Sequence, residues 1–211
     1  MNFTGQHRCV PENEELYDNV ENYIGYVVEA TGEYNSIITE ETEEDIELID
    51  NIPEKIDMKT NTIISEAYTT KENVKRKKYN MTTTNEPTIN EAQPIVRLTT
   101  TAKSKKVYGV ISNNEDGENR TYNSGCFFSN YGERKDNRLF INSVGEGSIL
   151  VCNQNGNIEN GDLLCSSDIQ GIAMKQTEEY VANYTIGKST QDYNFTDSNE
   201  KKLIGCVYYC G

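Results

Sequence analysis

The run from Arg138 to Gly171, RLFINSVGEGSILVCNQNGNIENGDLLCSSDIQG, constrains the fold more than any other stretch of the chain. Three short apolar runs, Leu139 to Ile141, Ile149 to Cys152 and Leu163 to Cys165, are divided by glycine-bearing segments. Glycine weakens a strand and permits positive φ, so the pattern predicts a meander of short strands. Asn155-Gly156 is the strongest hairpin signal, because both residues tolerate the left-handed conformation of a type I′ turn. Asn160-Gly161-Asp162 repeats it, and the link Asn157 to Glu159 predicts a narrow corner where a sheet bends over. The expected core is tight and barrel-like.

The rest of the chain reads the same way. Tyr23 to Ala30 is β-branched and alternating, Thr31-Gly32 predicts a turn, and Tyr34 to Ile38 predicts its partner strand. Ile95 to Leu98, Lys106 to Ser112, Cys126 to Tyr131, Ile172 to Lys175, Tyr180 to Lys188 and Leu203 to Tyr209 are further strand candidates. Asn113 to Asn123, the charged Gly132 to Asn137 and Gln191 to Lys202 read as polar turns and loops. No segment predicts a long helix. The fold class is mainly β: a short-stranded meander, barrel-like or sandwich domain spanning 1–211, with charged insertions at 39–57 and 69–88. The first insertion is acidic and the second basic over Lys71 to Lys78. Two solvated loops are expected, and pairing within or between subunits is the alternative.

At 211 residues and 35% hydrophobic, the chain has little apolar material for a compact domain, which points to a surface completed by other subunits. A formal net charge of -14 argues against phosphate contacts, so no nucleic-acid partner is expected. No apolar run reaches the roughly 20 residues that span a bilayer, and no membrane partner is expected either. The six cysteines form no CxxC, which argues against zinc. They are expected as buried free thiols on strands, as at Cys152 and Cys165. The five Asn-x-Ser/Thr sequons are what an Asn- and Thr-rich chain produces by chance.

Six segments in order carry a resemblance: FTGQHR at Phe3 to Arg8, VYGVIS at Val107 to Ser112, Arg138 to Leu164, SSDIQGIAMKQ at Ser166 to Gln176, NYTIGKST at Asn183 to Thr190, and GCVYYCG at Gly205 to Gly211. Together they resemble the intramolecular-chaperone autoproteolytic cleavage domain, found at the C-terminus of phage preneck appendage or tail spike proteins and similar to parts of large-DNA-virus proteins. The resemblance implies a mainly β domain that helps a trimeric fibre fold and then cuts itself off, in a reaction classed with the glutamic peptidases. It also implies a virion location after synthesis in the host cytoplasm, with a homo-oligomer, a trimer, or other virion proteins as partners. Met1 stands only a few residues before FTGQHR, so a domain with no upstream fibre of its own is expected.

Self-cleavage requires a base held against one strained peptide bond and a donor for the developing oxyanion. The carboxylate candidates are Glu146, between two glycines, and Asp162, which follows a turn glycine; Glu159 is a third. His7, the chain's one histidine, and Arg8 are candidates to polarise or stabilise charge near the N-terminal edge. Each has a structural alternative: a bulge carboxylate at Glu146, a turn cap at Asp162 and packing roles for His7 and Arg8. No cofactor or metal is expected. The competing function is a non-enzymatic minor capsid or virion-surface protein that keeps the fold without cutting itself. A glycan-binding module, suggested by 14 tyrosines, is a third.

Overall fold

The computed structural model describes residues 5–52, 55–57, 62–87, 93–115, 121–124, 127–130 and 137–210. Cys126, the charged turn over 132–136 and the loop over 116–120 lie outside them. The described chain is mainly β, as its alternation predicts, and divides into two units, 1–36 with 85–211 and 37–84.

Strand β1 (Gly5–Pro11) leads through a one-turn helix, α1 (Glu15–Asp18), to β2 (Val27–Tyr34). Strands β3 (Ser36–Ile52), β4 (Lys55–Asp57), β5 (Thr62–Ser65) and β6 (Tyr68–Thr84) follow. The chain then continues with β7 (Pro94–Leu98), β8 (Val107–Asn114), β9 (Thr121–Ser124), β10 (Phe127–Asn130) and β11 (Leu139–Cys152). Strands β12 (Leu163–Ser166), β13 (Ala173–Lys175), β14 (Thr185–Ser189) and β15 (Lys201–Tyr209) complete it.

In the larger unit, nine strands form one sheet in the order β1-β7-β2-β8-β11-β13-β12-β14-β15, and β11 also pairs with β1 and with β15. Those two extra pairings close the sheet twice. Strands β1, β7, β2, β8 and β11 make one five-membered ring, and β11, β13, β12, β14 and β15 make another, so the long strand is common to both. Its first part faces β1 and β8, and its second part faces β15. The cores divide accordingly. Cys9, Val28, Val96, Ile111, Leu139 and Ile141 pack together on the first ring's side, and Ile149, Val151, Leu164, Ile186, Ile204 and Tyr208 on the second's. At about 25 cal/mol per Å² of apolar surface removed from water, each such aliphatic side chain contributes roughly 1.5 to 3 kcal/mol.

The glycines at 145 and 147 do not end a strand, as the sequence suggested; β11 runs straight through them. Gly145 takes φ 99, and a Cβ on Gly147 would stand 2.5 Å from the Tyr208 ring. Gly147 thus gives a continuous strand room for its neighbour's aromatic ring, whose hydroxyl donates to Ser148 O at 2.5 Å. The Asn-Gly signals also resolve differently. Gly156 (φ 87) and Gly161 (φ 101) make turns, but β11 and β12 are not neighbours in the sheet, so neither turn closes a hairpin. The link instead carries Ile158 into the second core, where its backbone bridges Tyr193. The first hairpin is likewise absent. Gly32 (φ 98) lies where the register between β2 and β7 shifts, Thr31 Oγ1 donates to Ile95 O at 3.0 Å, and β2 continues to Tyr34.

In the smaller unit, β3 pairs with β6 and β4 with β5. The two charged segments are therefore opposing strands of one ribbon rather than separate solvated loops. Lys71 Nζ lies 3.2 Å from Glu47 and Lys75 Nζ 3.3 Å from Glu43. Four residues back along β3 match four residues forward along β6, as in an antiparallel ladder.

Candidate functional site

Strand pairing places His7 and Arg8 side by side on β1, opposite Ile141 and Phe140 of β11. Successive residues of a strand face opposite sides, so the two side chains diverge. His7 is exposed, its ring 6.0 Å from that of Tyr108. Arg8 lies 5.8 Å above the Phe140 ring, with Nε 2.7 Å from Glu115 Oε1. Glu146 is five residues past Ile141 on the same strand, about 16 Å at ~3.3 Å per residue. It is exposed and faces Val207 across the ladder. Asp162 Oδ2 accepts from the Glu159 amide at 2.7 Å and from Lys175 Nζ at 2.7 Å, so this carboxylate caps its own turn and fastens β13. The Asp162 hydrogen bond raises the Lys175 pKa. Glu159 is exposed beside it. Pairing thus sets His7 and Arg8 on opposite faces of β1, and no hydrogen bond or ion pair joins either of them to Glu146 or Asp162.

The buried charges lie elsewhere, at residues that alternation alone does not mark. Arg138 is fully buried at the start of β11, with Nε 3.9 Å from Glu115 Oε2. The Glu115 amide donates to Arg138 O at 2.8 Å, and Tyr17 Oη donates to Glu115 O at 3.0 Å. Glu115 therefore stands between two arginines, Arg8 outside and Arg138 inside. Glu29 on β2 is the second buried carboxylate. It accepts from Arg97 Nε at 3.1 Å and from Ser104 Oγ at 2.6 Å. The Ser104 amide donates to Ser166 Oγ, which donates to Thr101 O, each at 2.8 Å. This relay ties the connection between β7 and β8 to β12. A signal for both carboxylates was present in the sequence, an acid inside or at the end of an apolar strand, but only pairing shows which cation meets it.

Arg97 also reaches a cleft of about 510 Å³ lined by Glu15, Leu16, Tyr23, Tyr26, Leu98 and Lys201 among others. Tyr23 and Tyr26 meet edge to face with centroids 5.4 Å apart. Tyr23 Oη donates to Glu15 Oε1 at 3.0 Å, a hydrogen bond to a carboxylate that raises the tyrosine pKa. Gly171, at φ +70, lets Tyr26 close on the wall, since a Cβ there would be 2.6 Å from its ring. The cleft offers aromatic edges, two cations and two carboxylates, Glu12 and Glu15, and its lining includes none of the four candidate residues His7, Arg8, Glu146 and Asp162.

Among the described residues no group of three or more His, Cys, Asp or Glu side chains is placed to hold a metal ion. Cys9, Cys152, Cys165 and Cys206 are buried free thiols, and burial pushes the Cys165 and Cys206 thiols each up to about 12, far from the thiolate form that attacks carbonyls. No helix among the described residues is long and apolar enough to cross a membrane. Compared with known proteins, the chain matches no family model, no curated protein and no solved structure.

Proposed function

We propose that this chain is a homo-oligomeric structural and assembly module of a virion, similar in role to the chaperone domain it resembles in sequence, and that it acts by packing rather than by cutting itself. One observation carries the reading: each ring buries its own apolar cluster, yet large apolar side chains remain at the surface. Val144 and Tyr209 are direct cross-strand partners on β11 and β15, 46% and 40% exposed, and Tyr180 and Val181 are more exposed still. Such groups on a chain with so little apolar material are the mark of a surface that neighbouring subunits cover. Self-cleavage would need base, strained bond and oxyanion donor at one place. The candidate groups are instead spread along β11 and into a turn, with Asp162 committed to Lys175. The charge of -14 leaves other protein surfaces, rather than nucleic acid, as the partners.

Sedimentation equilibrium and intact mass test this together. The expected result is a trimer at micromolar concentration whose polypeptide keeps its full-length mass through prolonged incubation. A monomer at every concentration overturns the assembly role. A cut that disappears in Glu146→Ala replaces the packing role with an autoproteolytic one.

A further inference from the structure

The ribbon of the smaller unit has two long edges, and their composition differs sharply. Strand β3 carries seven acidic residues and no basic one, whereas β6 carries five basic residues and one acidic. Each pairs only with the other among the described residues, so each leaves one edge of backbone N–H and C=O groups without a strand beside it. A two-stranded ribbon is marginal alone in water, and an open edge is a template for a further strand. Leu48 and Ile49, adjacent on β3 and therefore on opposite faces, are 46% and 52% exposed, so neither face of this ribbon is fully covered by its own hairpin.

Charge decides what can lie against those edges. Acidic β3 against a second acidic β3 is repelled, and so is basic β6 against a second β6; like charges directly opposite destabilise a ladder. Only β3 against the β6 of another molecule is attractive. We infer that the ribbon is a directional self-association surface, in which β3 of one copy adds to β6 of the next copy of this same chain. Each acidic strand then lies between two basic ones, its own and its neighbour's. Because the two edges differ, the contact is head to tail, and such a contact closes into a ring when the rotation between copies allows. A three-membered ring is the form that matches the trimer proposed above, and the inference rests on that self-assembling reading.

The decisive variant exchanges the charges without removing the ribbon's internal pairs: the seven acidic residues of β3 all become lysine, while on β6 the five basic residues become glutamate and Glu72 becomes lysine. Within the hairpin each ion pair is preserved with its sign reversed, so the ribbon stays closed. Between copies, the exchanged chain matches itself and opposes the wild type. Co-expression of wild-type and exchanged chains carrying different tags, followed by native mass spectrometry, should give two homo-oligomers and few mixed ones. Free mixing of wild type with the exchanged variant, while both still assemble, overturns the ribbon contact and leaves the assembly role standing. A monomeric wild type overturns both.

Discussion

Two regions of this protein use the same chemistry in different solvents. In the larger unit Glu115 and Glu29 are buried with side-chain exposures of 8% and 5%, each held by an arginine. In the ribbon, the lysine and glutamate side chains of the Lys71–Glu47 and Lys75–Glu43 pairs are 46% to 72% exposed. The nitrogen to oxygen distances overlap, running from 2.7 to 3.3 Å across these four contacts. Their worth does not follow distance. A carboxylate taken out of water is costly to strand, while one at the surface trades a lysine for water with little net change. The interior pairs therefore fix how the strands are held, and the ribbon pairs set sign and direction for what approaches.

The sharpest way to break this comparison is to remove one buried partner. Glu115→Ala leaves Arg138 in the interior without its carboxylate and should cost about 3 to 5 kcal/mol in chemical denaturation. A cost under about 1 kcal/mol would place Glu115 in the same energetic class as the ribbon charges.

Packing at the shared strand comes next. Gly147→Ala would set a Cβ within 2.5 to 2.9 Å of three Tyr208 atoms, where the ring is pinned by its bond to Ser148 O. Overpacking of this kind costs about 1 to 3 kcal/mol. Gly156→Ala meets no atom within 4 Å and should be milder, losing only what φ 87 demands. Thermal unfolding of the two variants side by side separates a steric glycine from a conformational one.

A smaller effect is expected at the Glu200 carboxylate. Hydrogen bonds from Tyr193 and from the amide and hydroxyl of Thr196 hold its pKa down at about 2, against an ordinary 4.5. A carboxyl depressed by folding stabilises above its unfolded value and loses that contribution as pH falls through its folded one. The melting temperature of the wild type should therefore fall more steeply than that of Glu200→Gln between about pH 4.5 and 2. Parallel curves would show that these bonds are equally strong to a neutral group.

The smallest effect belongs to the ribbon's internal pairs. Lys71→Ala should change unfolding stability by no more than about 0.2 to 1 kcal/mol, and raising salt should erase the difference. A larger, salt-resistant loss would mean that the Lys71–Glu47 pair is shielded from water.

Much of the strand content was legible because alternation is local. Pro94–Leu98 and Lys201–Tyr209 carry buried residues at period two, Val107–Asn114 opens on a continuous apolar run, and each is a strand. Where glycine was read as the end of a strand, at Gly32 and at Gly145 with Gly147, the reading failed, and the Asn-Gly turns form without closing hairpins, because the same positive φ serves a turn, a bulge or the close approach of an aromatic ring. Gly156, Gly32 and Gly171 show these three outcomes, and the neighbour in space decides among them. The reading of charged residues from sequence had a related limit. Glu146 and Asp162 were noticed for flanking glycines, whereas Glu115 and Glu29 matter because pairing carries arginines to them from 23 to 107 residues away along the chain: Arg138 is 23 positions from Glu115, Arg97 68 from Glu29 and Arg8 107 from Glu115.

By itself, the sequence determined that this protein is mainly β, that its charges are sorted into acidic and basic segments, and that thiols such as Cys152 and Cys165 lie inside. Those properties depend on side chains a few residues apart. Only the tertiary structure decided that β11 closes two rings at once and that the oppositely charged segments form one ribbon. Closure and pairing join residues as distant as Cys9 and Leu139, and no local pattern records which of several compatible edges a strand will meet.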